Sequence, residues 1–187
     1  MRWIFWGTLW QSLSIAVDLN GLQFRILPLF VCYFMVMRGC RRMTEESDRF
    51  RTCQTVYLVI MLCMLAAEAG EVLGLSTGIW LSGIELAEQF GRYLYLRGIQ
   101  EMEGRYGGLG GQSLMTTWKV ATVCVVLAYP MSLLQDAVLP GILYIAVTLC
   151  AAIWFLVLLY RAWKTYQTRY EQVYAANDAW NKEDDLL

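Results

Sequence analysis

Long apolar runs, separated by turn residues and short charged stretches, set the pattern of this chain of 187 residues. Two of these runs, residues 114–134 and 142–160, are uninterrupted by acidic side chains or arginine, and residues 56–75 form a third that contains two glutamates. Their lengths match the ~20 residues that a helix needs to cross the hydrocarbon core of a bilayer. The pattern therefore predicts membrane-spanning helices.

The first two apolar runs, residues 3–17 and 26–37, are shorter than these three. A helix of ~15 residues measures ~23 Å at 1.5 Å per residue, which is less than the ~30 Å core. Asn20-Gly21 lies between the two runs and is a turn signal. Pro28 suits the first turn of the second helix. This pair is predicted either to cross the membrane steeply or to form a re-entrant hairpin.

The predicted membrane topology depends on whether residues 78–98, an apolar stretch with charged positions, cross the bilayer. If this stretch crosses, the chain has six transmembrane helices with both termini in the cytoplasm, and twelve of the fifteen Lys and Arg lie on the cytoplasmic side. If it lies on the membrane surface, the positive charges are divided between the two sides. The positive-inside rule favours the first arrangement. We therefore expect an all-α integral membrane bundle over residues 1–162, followed by a cytoplasmic amphipathic tail over residues 163–187.

Composition supports this interpretation and excludes several functions. Hydrophobic residues make up 58% of the chain and charged residues 17%, against about 45–50% and about 25% in soluble domains. The net charge of −1 gives no indication of nucleic-acid binding. The chain has no histidine, which excludes Ser/His proteases, HExxH metalloproteases and histidine-based proton shuttles. We predict no cofactor and no metal site.

The cysteines and the two polar loops are predicted to be structural. None of the six cysteines forms a CxxC pair, so we expect small packing residues that remain reduced thiols. The glycine-rich stretch "GRYGGLGGQS" lacks the GK[ST] of a phosphate-binding loop and is predicted to be a flexible linker.

An aromatic stripe marks the C-terminal tail. Trp163, Tyr166, Tyr170 and Tyr174 recur at helical spacing on a helix that continues the last span. Two interpretations stay open: anchoring in the membrane interface, or a docking face for a partner protein or a second copy. The expected partners are thus the lipid bilayer and a membrane protein, which includes a homo-oligomer.

A polar group stands inside the predicted membrane region and is the candidate site. Its members are Glu68, Glu71, Glu85, Glu88 and Arg92. A charge at the centre of a bilayer costs several kcal/mol unless it is paired or hydrated, so these side chains are expected to face the bundle interior. Arg92 follows Glu88 at i+4, which is the spacing of a helical ion pair.

Glu68 and Glu85 are predicted to form a pair. They lie about equally far from the turn expected near Ser76-Thr77, so antiparallel helices bring them to the same depth, ~13 Å from that turn. Two close carboxylates do not both ionise cheaply, so one of them is expected to keep a proton. The group is then either a proton or cation site, or a hydrogen-bonded cluster that fixes the register of the helices.

A short stretch resembles a known family. The segment "DLNGLQFRILPLFVCYFMVMRG", residues 18–39, resembles the opening of an uncharacterised family of small multi-pass membrane proteins in Gram-positive bacteria, with its "D-I-L-P-D-x-I-G-Y" signature. The positions that fit are Ile26, Leu27, Pro28, Tyr33 and Gly39, and those that depart are Arg25, Leu29 and Cys32. The resemblance implies a bacterial plasma (inner) membrane location and no particular activity.

Three functions follow from these observations. The first is a non-enzymatic scaffold, assembly or regulatory component of the membrane. The second is a small proton- or cation-linked transporter or channel that uses Glu68, Glu85 and Glu88. An intramembrane enzyme comes third, because the spans contain no pair of aspartates for an aspartyl-type mechanism.

Overall fold

The fold is helical with one short β-hairpin. The computed structural model describes residues 1–13, 16–19, 22–25, 28–72, 78–131 and 138–184. In chain order, its elements are α1 (Arg2–Ser12), β1 (Ala16–Leu19), β2 (Leu22–Arg25), α2 (Leu29–Arg41), α3 (Asp48–Val72), α4 (Gly78–Tyr106), α5 (Gly111–Met131) and α6 (Val138–Asp184).

The N-terminal pair differs from the prediction. Helix α1 ends at Ser12, and Ala16–Leu19 pairs antiparallel with Leu22–Arg25, so a helix through Val17 is wrong. Helices α1 and α2 have 11 and 13 residues, or roughly 17 and 20 Å, and neither alone spans a core of ~30 Å. Cross-strand hydrogen bonds pair the backbones of these two strands. The predicted turn at Asn20-Gly21 lies outside the described residues.

Close backbone approaches hold the first two helices together. A Cβ added at Gly7 would lie 2.8 Å from the carbonyl oxygen of Cys32, and one added at Gly39 would lie 2.8 Å from the backbone nitrogen of Ile4. These pairs show that α1 and α2 run antiparallel. Small residues at such crossings let helices pack closely where hydrophobic exclusion from water gives no driving force.

Helices α3 and α4 pack by setting aromatic rings over glycines. The ring of Tyr57 lies over Gly91, and the ring of Phe50 lies over Gly98, with ring atoms 2.8 and 2.7 Å from the ideal Cβ positions. The two pairs are seven residues apart on each helix, so the contact repeats after two turns. This repeat fixes the register of α3 against α4.

Two helices are long and apolar enough to cross a membrane. Among the described residues they are Asp48–Gly70 in α3 and Ala146–Gln172 in α6, and 33% and 17% of an apolar stretch of 18 residues within each are buried. The core helix of a soluble protein would be mostly buried, whereas these helices expose large side chains such as Leu62 and Trp154. The six predicted membrane crossings and their topology stay a prediction.

The loop between α4 and α5 is hydrogen-bonded to α4, and its predicted flexibility stays a prediction. Gly107, Gly108 and Gly110 adopt φ values of 65°, 62° and 69°, which favour glycine. Leu109 is buried between them. The carboxylate of Glu103 accepts hydrogen bonds from the backbone N–H groups of Gly110 and Gly111 at 3.1 and 3.0 Å, and so caps the start of α5.

Candidate functional site

The predicted ion pair is the centre of a buried polar group. Arg92 Nη2 lies 2.5 Å from Glu88 Oε1, one helical turn away on α4, which confirms the predicted i, i+4 pair. The Tyr33 hydroxyl on α2 donates to Glu88 Oε2 at 2.9 Å. Both carboxylate oxygens of this buried glutamate are therefore bound within the bundle. A buried carboxylate with such partners stabilises one arrangement of helices, because removing a partner leaves an uncompensated charge.

Three tyrosines surround this pair and join it to neighbouring helices. The ring centroids of Tyr33 and Tyr57 are 6.2 Å apart, and those of Tyr57 and Tyr95 are 6.5 Å apart. All three residues are buried. Together with Glu88 and Arg92 they form what we call the Glu88 cluster. The sequence analysis missed these tyrosines, although a tyrosine inside an apolar helix signals a need for a polar partner.

Two polar atoms of the Glu88 cluster lack a hydrogen bond. Arg92 Nε and the Tyr95 hydroxyl are buried and have no hydrogen-bond partner among the described residues. Such atoms are rare in folded proteins, and a water or a ligand group usually accounts for them. The hydrogen-bonding capacity of the Glu88 carboxylate is thus used within the cluster, whereas Arg92 and Tyr95 can each form a further hydrogen bond.

Glu68 has a separate role at the start of α2. Its Oε1 accepts a hydrogen bond from the backbone N–H of Leu29 at 3.0 Å. The first N–H groups of a helix have no intrahelical acceptor and carry partial positive charge. Glu68 on α3 therefore caps α2 from outside the helix, and this contact ties the two helices together.

The predicted interior position of Glu85 is wrong, whereas its pairing with Glu68 stays a prediction. Glu85 is exposed, whereas Glu88 is buried, so the two do not share an inward face. Residues three apart on a helix are rotated by about 60° from each other, and the edge of the buried face falls between them. The side chain of Glu71 lies outside the described part of the chain. Glu88 and Arg92 form the ion pair that the sequence predicts.

A second polar centre lies where α6 meets the end of α4. Glu46 Oε1 accepts hydrogen bonds from the hydroxyls of Tyr106 and Tyr166 at 2.8 and 3.1 Å, and its Oε2 lies 3.7 Å from Arg105. Burial, followed by the bond to Glu46, raises the pKa of Tyr106 to about 12. Tyr106 therefore remains a neutral donor throughout the physiological range.

The aromatic stripe of the tail packs on the chain itself. The ring of Trp163 stacks on Phe5 of α1 at 5.5 Å, and the ring of Tyr166 meets Tyr106 at 5.1 Å. Neither interpretation of this stripe foresaw contacts with its own bundle, which require residues more than 50 positions apart. The side chain of Tyr174 lies outside the described part of the chain.

The thiols include one close pair. Cys40 Sγ and Cys53 Sγ are 3.2 Å apart in the buried contact between α2 and α3. The described cysteines, Cys32, Cys40, Cys53, Cys63 and Cys150, are free thiols, and the side chain of Cys124 is not among those described. Within the described residues, no group of three or more Cys, Asp or Glu could hold a metal ion.

Comparison of the chain with protein-family models, with curated proteins and with solved structures finds no match. The resemblance of residues 18–39 to a Gram-positive membrane family therefore stays a prediction. Two of its positions have structural roles here, since Pro28 directly precedes α2 and Tyr33 binds Glu88.

Proposed function

We propose that this chain is a multi-pass protein of the bacterial plasma membrane that acts as a scaffold or regulatory component. It would present the cytoplasmic half of α6 to a partner protein or to a second copy. The observation that carries the proposal is the placement of α6, one continuous helix from Val138 to Asp184 that is docked at its middle.

The length of α6 supports this role. Its 47 residues measure about 70 Å, of which a membrane core of ~30 Å takes less than half. Phe5, Tyr106 and Glu46 hold the helix through Trp163 and Tyr166. A helix fixed in this way offers a rigid surface, which lowers the entropy lost when a partner binds.

The face of α6 away from these contacts is suited to a protein partner. Lys164, Gln167, Thr168, Arg169 and Glu171 are exposed there. Within the described residues, the hydrogen bonds of Gln167 and Thr168 stay on α6 itself. This face mixes both signs of charge, so it fits the polar surface of a protein better than a bilayer interior.

The bonding of the glutamates also favours a scaffold over a transporter. Glu88 binds Arg92 and Tyr33, and Glu68 caps α2. A transport site needs a carboxylate that gains and loses its ion during each cycle. Removing these partners from Glu88 would leave buried charge unpaired, so the cluster is better suited to fixing the helices.

Photo-crosslinking in cells tests the scaffold directly. A photoreactive residue at Thr168 is expected to form a crosslinked protein product of discrete mass, and one at the exposed apolar Val147 in the same helix is expected to contact lipid only. The product at Thr168 should weaken when Trp163→Ala releases α6 from Phe5. Absence of any protein product from Thr168, Lys164 and Glu171 would overturn the proposal.

One observation favours a second candidate, a proton- or cation-linked transporter. Arg92 Nε and the Tyr95 hydroxyl are buried without hydrogen-bond partners among the described residues, as expected if water or an ion enters the Glu88 cluster. Purified protein in liposomes under a pH or cation gradient distinguishes the two functions. The scaffold predicts no flux, and a flux that Glu88→Gln abolishes without unfolding the protein would favour transport.

A further inference from the structure

A polar pocket opens between α4 and α5, on the side of α4 away from the Glu88 cluster. Its volume is about 430 Å³, and its lining includes Tyr93, Arg97, Gln100, Thr116 and Lys119. Pockets of this size are within the range that holds small ligands. None of the functions considered above uses these residues.

The pocket is positively charged. Arg97 donates from Nε to the Tyr93 hydroxyl at 3.1 Å and from Nη1 to Gln100 at 3.4 Å, which leaves further N–H donors of the guanidinium for a ligand. Lys119 on α5 has no ion-pair partner among the described residues. Glu103 also lines the pocket, but both of its carboxylate oxygens accept hydrogen bonds from Gly110 and Gly111.

The pocket stands at a boundary between polar and apolar surface. Towards one end of α4 and α5, the exposed side chains are apolar: Leu86, Phe90, Val120, Val123, Val126 and Leu127. Towards the other end, they are Arg97 and Glu101 on α4 and Gln112 and Thr116 on α5. The ring contact of Tyr93 with Trp118, at 5.5 Å, fixes the two helices at the level of the boundary.

We propose that this pocket binds the phosphate of an anionic phospholipid in the cytoplasmic leaflet. Arg97 and Lys119 contact the phosphate from the two helices, Thr116 and Gln100 supply polar contacts to the glycerol, and the acyl chains lie along Phe90 and Val123. A guanidinium and an ammonium are both suited to phosphate recognition. Tyrosine and tryptophan at this level are typical of the membrane interface. The inference rests on the membrane placement of the proposed function, not on its partner.

Native mass spectrometry of the full chain, purified in detergent and exchanged with defined lipids, tests the site. We expect the protein to retain phosphatidylglycerol over phosphatidylcholine. Arg97→Gln and Lys119→Gln should each weaken retention of phosphatidylglycerol about tenfold, because each removes a charge-assisted hydrogen bond. Arg51→Gln and Arg161→Gln remove two exposed cations outside the pocket and serve as the matched control. Both pocket substitutions affect exposed side chains, and thermal unfolding of each variant verifies that the fold is kept.

Equal loss of phosphatidylglycerol by the pocket variants and the control variants would overturn the site, because it would show a general attraction of anionic lipid to basic residues. Glycerol 1-phosphate, a soluble compound with the same phosphate ester group, is added as a competitor of the lipid. If it displaces the lipid at millimolar concentration, the site takes free phosphate esters and the assignment to lipid is wrong. A chain recovered in the soluble fraction of cells would instead refute the membrane placement, independently of any binding result.

Discussion

The bundle of α1–α4 and the long helix α6 differ in how far their apolar side chains pack against the rest of the chain. In α1–α4, glycines let the helices touch, and a tyrosine of α2 binds the buried ion pair of α4. In α6, 17% of an apolar stretch of 18 residues is buried, and Val147, Leu149, Ile153 and Trp154 are exposed. The first region gains its specificity from contacts within the chain. The second region is a helix with an exposed apolar surface and few aromatic contacts to the rest of the chain. Its position therefore depends more on what surrounds the protein.

This difference ranks the effects of mutation. Substitutions inside α1–α4 should change the stability of the isolated protein, because the affected contacts are internal. Substitutions on α6 should change stability little, and affect the docking of the helix and its partners more. Each prediction below compares a variant with a control in the same chemical class.

The largest effect is expected for Glu88→Gln. The variant leaves the guanidinium of Arg92 buried beside a neutral amide, and breaking one partner of a buried ion pair typically costs about 3–5 kcal/mol. Thermal unfolding in detergent measures the loss. Glu45→Gln removes the same charge from an exposed position in the turn between α2 and α3 and should change stability by less than ~0.5 kcal/mol. Equal stability of the two variants would show that the pair does not stabilise the bundle.

A smaller effect is expected at the crossing of α1 and α2. In Gly39→Ala, the new methyl group would approach the backbone nitrogen of Ile4 to 2.8 Å, so the helices must separate, at a cost of about 1–3 kcal/mol. Gly104→Ala places the same methyl group where no atom lies within 4 Å, and helix propensity alone should then stabilise α4 by about 0.5–1 kcal/mol. Opposite signs of the two changes in unfolding temperature are the expected result. If both variants gain stability, the close approach at Gly39 is not present.

The sequence was informative where the structure depends on neighbours along one helix. The Glu88–Arg92 pair follows from i, i+4 geometry alone, and the two longest apolar helices follow from run length. Contacts between distant segments were not accessible. Tyr33 is 55 residues from Glu88. The partner of Glu68 is a backbone N–H, and such a partner leaves no signal in the amino-acid sequence.

The two errors near the N-terminus and at Glu85 have the same physical origin. Hydropathy measures how apolar a stretch is, but Ala16–Leu19 is a strand because a second strand pairs with it. The rotation of α4 about its axis, which leaves Glu85 exposed, is set by the glycines that receive Tyr57 and Phe50.

On α6, Tyr166→Phe should have a modest effect on stability and a larger one on docking. The substitution removes one hydrogen bond to Glu46, worth about 1 kcal/mol, and keeps the ring that meets Tyr106. Hydrogen exchange of α6 beyond Tyr166 should increase, because the helix opens more often when one of its contacts is lost. Gln167→Ala alters an exposed neighbour whose hydrogen bond is to Glu171 on the same helix, and should leave the exchange unchanged. If the two variants give the same exchange rates, Glu46 does not hold α6.

The smallest effect concerns pH and the contact between the α2–α3 turn and α4. Ser47 donates to Glu101 Oε2 at 2.5 Å, and Arg49 Nε lies 3.1 Å from Glu101 Oε1. The bond from Ser47, followed by those from Arg49, holds the pKa of Glu101 below its ordinary 4.5. A carboxylate with a lowered pKa contributes stability that is present above the ordinary value and is lost as the pH falls through the folded value.

Stability of the wild-type protein should therefore fall more steeply below pH 4.5 than that of Glu101→Gln, which has no carboxylate at this position. Glu101 and Arg49 are about half exposed, so solvent screening limits the difference to about 0.2–1 kcal/mol. Unfolding temperatures measured between pH 3 and pH 7 provide the comparison. Ser47→Ala removes the main cause of the lowered pKa and should reduce the pH dependence while leaving the contact with Arg49. A steeper acid transition in Ser47→Ala than in the wild type would contradict the assignment, because it would mean that the hydroxyl stabilises the protonated acid.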